Sequence, residues 1–394
     1  MTALRRLGSA LLAPAMAVVV AVVITALVIL AIGENPGTAL QVLLDFGDTP
    51  AQQTQSIVVI LNRAVPLFLS GLAVAVAFRM GLFNIGVEGQ YRMATVLAAG
   101  AGAAVALPGP LHVLLIIVVA MAVGALWAGI VAVLKVTRGV SEVISSIMLN
   151  FIALGTASWL LTGPLRGSEE GAAIITTTDI PESGWFPDLN GLFGVVGLAQ
   201  PRSELYGFLL VAVVVGVVVA VVLTRTRFGF DLRATGMSPS AATASGVDAR
   251  RMVIKTMLIS GGIAGLIGLP DLLGDTRHFG TEFTAGLGFL GIAVALLGRG
   301  SPTGIAFAAL LFAFLDRAAV PLQFADIPAS VVTIIQGTIV LAVVIANELA
   351  RQLNRRRAER GSGQGDPPAD DGTSAGPGGP VGTRITDDRQ EAGR

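Results

Sequence analysis

The 394 residues contain no cysteine, two histidines and two tyrosines. Without thiols the chain has no disulfides, thiolate metal centres or cysteine nucleophiles, and its redox compartment stays open. The histidines, His112 and His278, lie far apart without a ligand-spaced partner, so a satisfied or solvated role outweighs a metal role for both. The only lysines, Lys135 and Lys255, lie outside any phosphate-binding loop: Lys135 precedes Val136, and Lys255-Thr256 lacks the preceding glycine. Charge is also scarce, at 13% of residues, and 26 basic residues cancel 26 acidic ones. No general surface for nucleic acid is expected, nor an active site for hydrolysing ATP, nor a cofactor on this chain.

Apolar residues are abundant, 53% of the chain with a mean hydropathy of +0.77. A bilayer crossing needs about 20 of them per helix. The pattern predicts an all-α polytopic membrane protein with about ten spans: 13–32, 57–78, 86–107, 111–134, 143–163, 205–224, 253–270, 284–298, 302–320 and 328–347. Pro108-Gly109-Pro110 divides the apolar run from Met93 to Leu134 into two crossings. The first span follows Arg5 and Arg6 like the start of a secretory signal, but its apolar run is long and a retained helix is preferred.

Basic residues near span ends stay in the cytoplasm, which orients the bundle. Arg5 and Arg6, Lys135 and Arg138, the group from Arg225 to Lys255, and Arg351, Arg355, Arg356 and Arg357 all fall on one side. Both termini are therefore expected to be cytoplasmic. The organisation is a cytoplasmic segment 1–12, a transmembrane domain 13–350 and a tail 351–394 that is basic at first and then Gly-, Pro- and Asp-rich and disordered. The domain includes an outer loop 164–203 and a cytoplasmic loop 225–255. The arginines before the tail are read as anchors at anionic lipid headgroups.

Gly286-Leu287-Gly288-Phe289-Leu290-Gly291 matches a dinucleotide fingerprint only in letters, because it opens a membrane span. Its glycines, like Gly261 and Gly265, instead permit close helix approach or a broken helix. Asn84, Glu88 and Gln90 stand among glycines beside or within a span. Glu88 is either a functional acid at membrane depth or a partner of Arg92 one helical turn away. A faint duplication pairs Gly86-x-x-Gly89 with Gly288-x-x-Gly291, and the segment from Ser141 to Asn150 with that from Ala329 to Gln336. Two repeats of five spans would be inverted in the bilayer, with broken helices around a midplane route. In the cytoplasmic loop, Ser238-Pro239 starts a short helix ending at Gly246, which either docks a partner or lies among topology anchors.

Three segments resemble the nucleoside branch of the ribose, branched-chain amino-acid and nucleoside permeases of bacterial ABC importers: Phe83 to Gln90, Glu142 to Asn150, and Gly291 to Gly298. The stretch from Arg227 to Gly236, followed by Ala241-Ala242 and Ser245-Gly246, is similar to that family's coupling loop. The resemblance implies a plasma-membrane permease subunit that moves a nucleoside, with a purine nucleoside as leading cargo and a ribose-like sugar as alternative. It also implies a two-cassette ATPase carrying ATP and Mg, an extracytoplasmic binding lipoprotein and a second permease, a paralogue or a second copy. Asn84, Glu88, Gln90, Asn150 and Gln336 would then line the route or hold the broken helix together. Arg233, Gly236, Ala241, Ala242, Ser245 and Gly246 would meet the ATPase. An ion-coupled secondary transporter, with Glu88 or Asp316 as its acid, is the rival class.

Overall fold

The computed structural model describes residues 22–169, 171–325, 327–328 and 330–362, with side chains through 346 and at Gln352. Residues 1–21, with Arg5 and Arg6 and the first part of the first expected span, lie outside the described residues, as does the tail beyond 362. Among the described residues, those up to 348 form one compact unit and those from 349 onward belong to a second.

Helices and short turns make up the described chain, with isolated bridges as its only β-type pairing. In order the helices are α1 (Val22–Ala31), α2 (Pro36–Leu44), α3 (Pro50–Phe78), α4 (Val87–Ala104), α5 (Gly109–Arg138), α6 (Glu142–Thr162), α7 (Gly191–Val196), α8 (Phe208–Arg225), α9 (Arg227–Met237), α10 (Pro239–Ala244), α11 (Ala249–Gly265), α12 (Leu269–Asp271), α13 (Leu287–Leu297), α14 (Pro302–Arg317), α15 (Ala319–Phe324) and α16 (Ser330–Ser362). Their starts follow local chemistry. Thr49 and Gln52 form a capping box before α3, Asp248 caps α11, and Ser238 and Ser301 cap α10 and α14, each just before a proline at the first helical position.

Six helical stretches are long and apolar enough to cross a bilayer: Pro50–Phe78, Gly109–Arg138, Glu142–Thr162, Phe208–Arg225, Ala249–Thr276 and Pro302–Phe324. The pair α1 and α2, bent by 120°, would make a seventh. Among the described residues, six or seven of the ten expected spans thus pass this measure, and the other three fall short for physical reasons. The expected span 284–298 holds an 11-residue helix, because left-handed Gly286 delays its start and Arg299 and Gly300, both with positive φ, end the turn that follows. The expected span 86–107 begins with Glu88, Gln90 and Arg92 and yields only the 18 residues of α4, packed almost wholly inside the bundle. The apolar part of α16, Ser330–Ala346, is likewise short.

Helices α5 and α11 cross at their backbones. A Cβ at Gly124 would meet Gly265 N at 2.9 Å, and one at Gly261 would strike Ala128 Cβ, so the paired small residues allow the close approach expected of Gly261 and Gly265. Of the segments expected inside, those around Lys135 and Gly236 meet the turn after α3: Lys135 pairs with Glu142 (2.6 Å), Glu142 accepts from Phe83 N, Gly236 packs on Arg79, and Arg79 Nη2 donates to Gly300 O (3.0 Å). At the other end of the bundle the described residues of the loop 164–203 pack over the helix ends. His112 bonds Ser183 Oγ and Gly102 O, both at 2.8 Å, the amide of Thr177 donates to Phe279 O, and Arg277 lies over the Trp185 ring at 4.4 Å. His278 pairs with Asp179 (2.9 Å) and Glu282 (3.4 Å).

Candidate functional site

The turn of residues 79–86, between α3 and α4, leaves the end of α3 and folds back into the bundle. Asn84 Nδ2 donates to Ser260 Oγ (2.8 Å), and Ser260 Oγ donates to Ala73 O (2.7 Å), so Asn84 lies level with Ala73 inside α3. That is five residues, about 8 Å, before the helix ends. α4 therefore starts within the bundle. α13 does the same: Ser70 Oγ donates to Leu287 O (2.8 Å), about 12 Å short of the end of α3. Two helix N-termini thus converge well inside the bundle, each bringing unpaired N–H groups and a partial positive charge.

Asn84 and Asn150 accept from Gly86 N and Gly89 N at the start of α4, and Glu88 meets the need of α13. Its Oε1 accepts from Gly286 N (2.9 Å), Arg92 Nε (2.9 Å) and Tyr91 Oη (3.2 Å), and its Oε2 accepts from Gly288 N (2.9 Å). One carboxylate thereby caps α13, pairs with Arg92 and ties α4 to α13, while the single hydroxyl proton of Tyr91 is shared between Glu88 Oε1 and the nearer Thr284 O (2.6 Å). The close approach needs glycine, since a Cβ at Gly288 would come within 2.6 Å of Glu88 Cα. Asn84 and Gln90 exchange two amide hydrogen bonds, at 2.9 and 3.0 Å, and both are fully buried. Asn150 of α6 clamps the turn from outside, accepting from Gly89 N (2.9 Å) and donating to Ile85 O (3.0 Å).

Four of the five expected pathway residues, Asn84, Glu88, Gln90 and Asn150, therefore share one polar clasp. Gln336 belongs to a second group, donating to Asp316 Oδ1 (2.6 Å) and Phe312 O (3.4 Å), while Asp316 pairs with Arg63 (2.7 Å). The sequence pairing of Asn150 with Gln336 is thus not matched by equivalent contacts. A cavity of about 320 Å³ opens beside Gln336 between α13, α14 and α16. Sequence reading missed Ser70, Tyr91 and Ser260, whose partners are remote in the chain. Removing the clamp with Asn150→Ala leaves the Gly89 amide and the Ile85 carbonyl unpaired. The expected cost is about 1–3 kcal/mol, measured as a lower melting temperature of the purified chain in detergent.

The expected coupling residues lie on α9, α10 and the turn after them. Gly236 packs directly on the turn of residues 79–86: a Cβ there would sit 2.6 Å from Arg79 O and 2.9 Å from Met80 Cα. Arg233 donates to Leu223 O, joining α9 to α8. Ala242 is buried, whereas Ala241, Ser245 and Gly246 are exposed, Gly246 with φ 88° in open space. Met237, beside them, is 88% exposed. The same turn is gripped by Glu142, whose Oε1 accepts from Phe83 N at 3.5 Å, and by Thr256 Oγ1 on Met80 Sδ at 3.2 Å.

The profile of the family described as the branched-chain amino acid transport system permease component matches residues 56–344. This chain belongs to that family. The permease is 33% identical over 346 residues to the glucose ABC transporter permease of Haloferax volcanii, covering 86% of this chain and 88% of the relative. It is 29% identical to the nucleoside ABC transporter permease of Lactococcus lactis subsp. cremoris, covering 89% and 95% of the two chains. It is 35% identical to the guanosine ABC transporter permease of Bacillus subtilis, covering 72% and 79%. No solved structure matches. The permease is a multi-pass membrane transport component, not an enzyme, and the ATPase of such a system is a separate subunit. As a family, these permeases work with an ATPase and a substrate-binding protein.

Proposed function

We propose that the permease is the gate of an ATP-driven importer for a purine nucleoside, levered from the cytoplasm through α9 and α10. The contact of Gly236 with Arg79 and Met80 carries this reading, because it joins the exposed segment around Met237 to the turn that holds the polar clasp without a side chain between the backbones. A partner that grips α10 at the exposed Ala241, Ser245 and Gly246, with Ala242 seating the helix from its buried side, would move the turn as a rigid element and so shift the starts of α4 and α13. Arg233 stiffens the same segment. Asn84, Glu88, Gln90 and Asn150 then set the width of the solute route at mid-bilayer, with Gln336 further along it. No covalent chemistry takes place on this chain.

The finer architecture follows the same reading. Ten crossings arranged as two inverted repeats of five, with both termini in the cytoplasm, fit the meeting of two glycine-led helix starts at Glu88 and Gly288. The partners would be a two-cassette ATPase with its ATP and Mg, a binding lipoprotein outside and a second permease subunit.

The nucleoside and guanosine relatives support the cargo, and the glucose relative supports a sugar as the second reading. Uptake decides between them, with the permease, its ATPase and its second permease reconstituted in vesicles containing ATP and the binding protein on the opposite side. Guanosine is expected to accumulate, to stop with vanadate and to survive a proton ionophore. Accumulation of glucose or ribose without guanosine would establish the sugar reading. Uptake by the permease alone that collapses with the ionophore would establish secondary transport.

A further inference from the structure

A cavity of about 710 Å³ runs along α8 where that helix stands off from α5 and α11. Its walls are apolar, with Met121 and Ala125 from α5, Val218 and Val222 from α8, Gly262 from α11 and Phe228 from the first turn of α9. At the Phe228 end the chemistry changes. Arg225 and Arg227 flank the turn between α8 and α9, and Lys255 precedes Leu258, Ile259 and Gly262 on one stripe of α11. All three cations are exposed, and among the described residues none of them forms an ion pair.

An apolar groove open to the side of a membrane protein takes an acyl chain, and unpaired cations at the end of the groove select the headgroup. We propose that this groove is a site for one anionic phospholipid, with an acyl chain against α8 and its phosphate between Arg225, Arg227 and Lys255. The bound lipid braces Phe228, and with it the first turn of α9, so the site bears on the same helix whose far end packs on Arg79 and Met80. It depends on the membrane location of the permease and not on its cargo.

Native mass spectrometry of the full-length permease in detergent tests the site, by titration with phosphatidylglycerol and with phosphatidylcholine of the same chain length. The wild type is expected to retain phosphatidylglycerol about tenfold better or more. In the double variant Arg227→Gln/Lys255→Gln, two exposed positions, the two lipids are expected to bind within about twofold of each other. Gly262→Leu grows into the groove, since a Cβ there meets only Met121 O at 3.7 Å and Ala125 Cβ at 3.9 Å, and is expected to reduce retention of both lipids. Equal retention by the wild type, an unchanged preference in the double variant, or undiminished binding by Gly262→Leu would each overturn the assignment.

Discussion

Replacing Gly236 with valine is expected to cut solute uptake by about tenfold or more, equivalent to at least about 1.4 kcal/mol in the coupled step, while the partner ATPase continues to turn over. The added Cβ would lie 2.6 Å from Arg79 O and 2.9 Å from Met80 Cα. Both are backbone atoms, so no rotamer change relieves the collision, and α9 must lift from the turn or the turn must shift. Overpacking of this kind costs about 1–3 kcal/mol, too little to prevent insertion of the chain. The loss therefore falls on transmission and not on folding. Gly155→Val provides the comparison, because a Cβ at Gly155 in α6 meets nothing within 4 Å and uptake is expected to be unchanged. The decisive measurement is uptake and ATP hydrolysis on one reconstituted complex. Wild-type uptake by Gly236→Val would remove the lever from the proposal, whereas parallel loss of insertion in both variants would indicate general intolerance of the helices.

Much of this architecture was legible because it is local. Apolar runs located the helices, Ser238-Pro239 marked the start of α10, and Arg92 was visible as a partner for Glu88 because the two are four residues apart. Which apolar runs form helices long enough to cross was not legible. Run length counts apolar residues whether or not they are helical, and Thr284 to Gly286 enter the bundle as irregular backbone satisfied by Tyr91 and Glu88. The role of Gly288 was hidden for a related reason. Its letters read as a small-residue motif, but the group it accommodates is Glu88, 200 residues earlier in the chain. Gln336 reads in the sequence as the repeat counterpart of Asn150, but the partners that hold it, Asp316 and Phe312, are given only by packing. Contacts between remote segments depend on how helices cross, and spacing along a chain carries no information about that.

Glu88→Ala should have the largest effect on the fold itself. The carboxylate takes four protein donors, and its side chain and that of Arg92 are only 9% and 15% exposed. Truncation strands a guanidinium and the first amides of α13 inside the bundle at once, while Tyr91 keeps Thr284 O. Breaking a buried pair from one side costs about 3–5 kcal/mol, and a helix N-terminus without its anion adds up to about 2 kcal/mol. Glu88→Ala is therefore expected to reach the membrane in low yield and to melt well below the wild type. Adding Arg92→Leu removes the stranded charge, so the double variant is expected to recover part of the loss, with a coupling of about 0.5–3 kcal/mol in a double-mutant cycle. The same cycle separates two roles for the acid. A carboxylate that binds solute would allow Glu88→Gln to melt normally while changing the concentration dependence of uptake. One that clasps two half-helices would lower the melting temperature first, because the new amide NH2 faces backbone N–H groups that already need an acceptor. With both oxygens engaged by Gly286, Gly288, Tyr91 and Arg92, the second outcome is expected, and solute would pass beside Glu88 rather than bind to it.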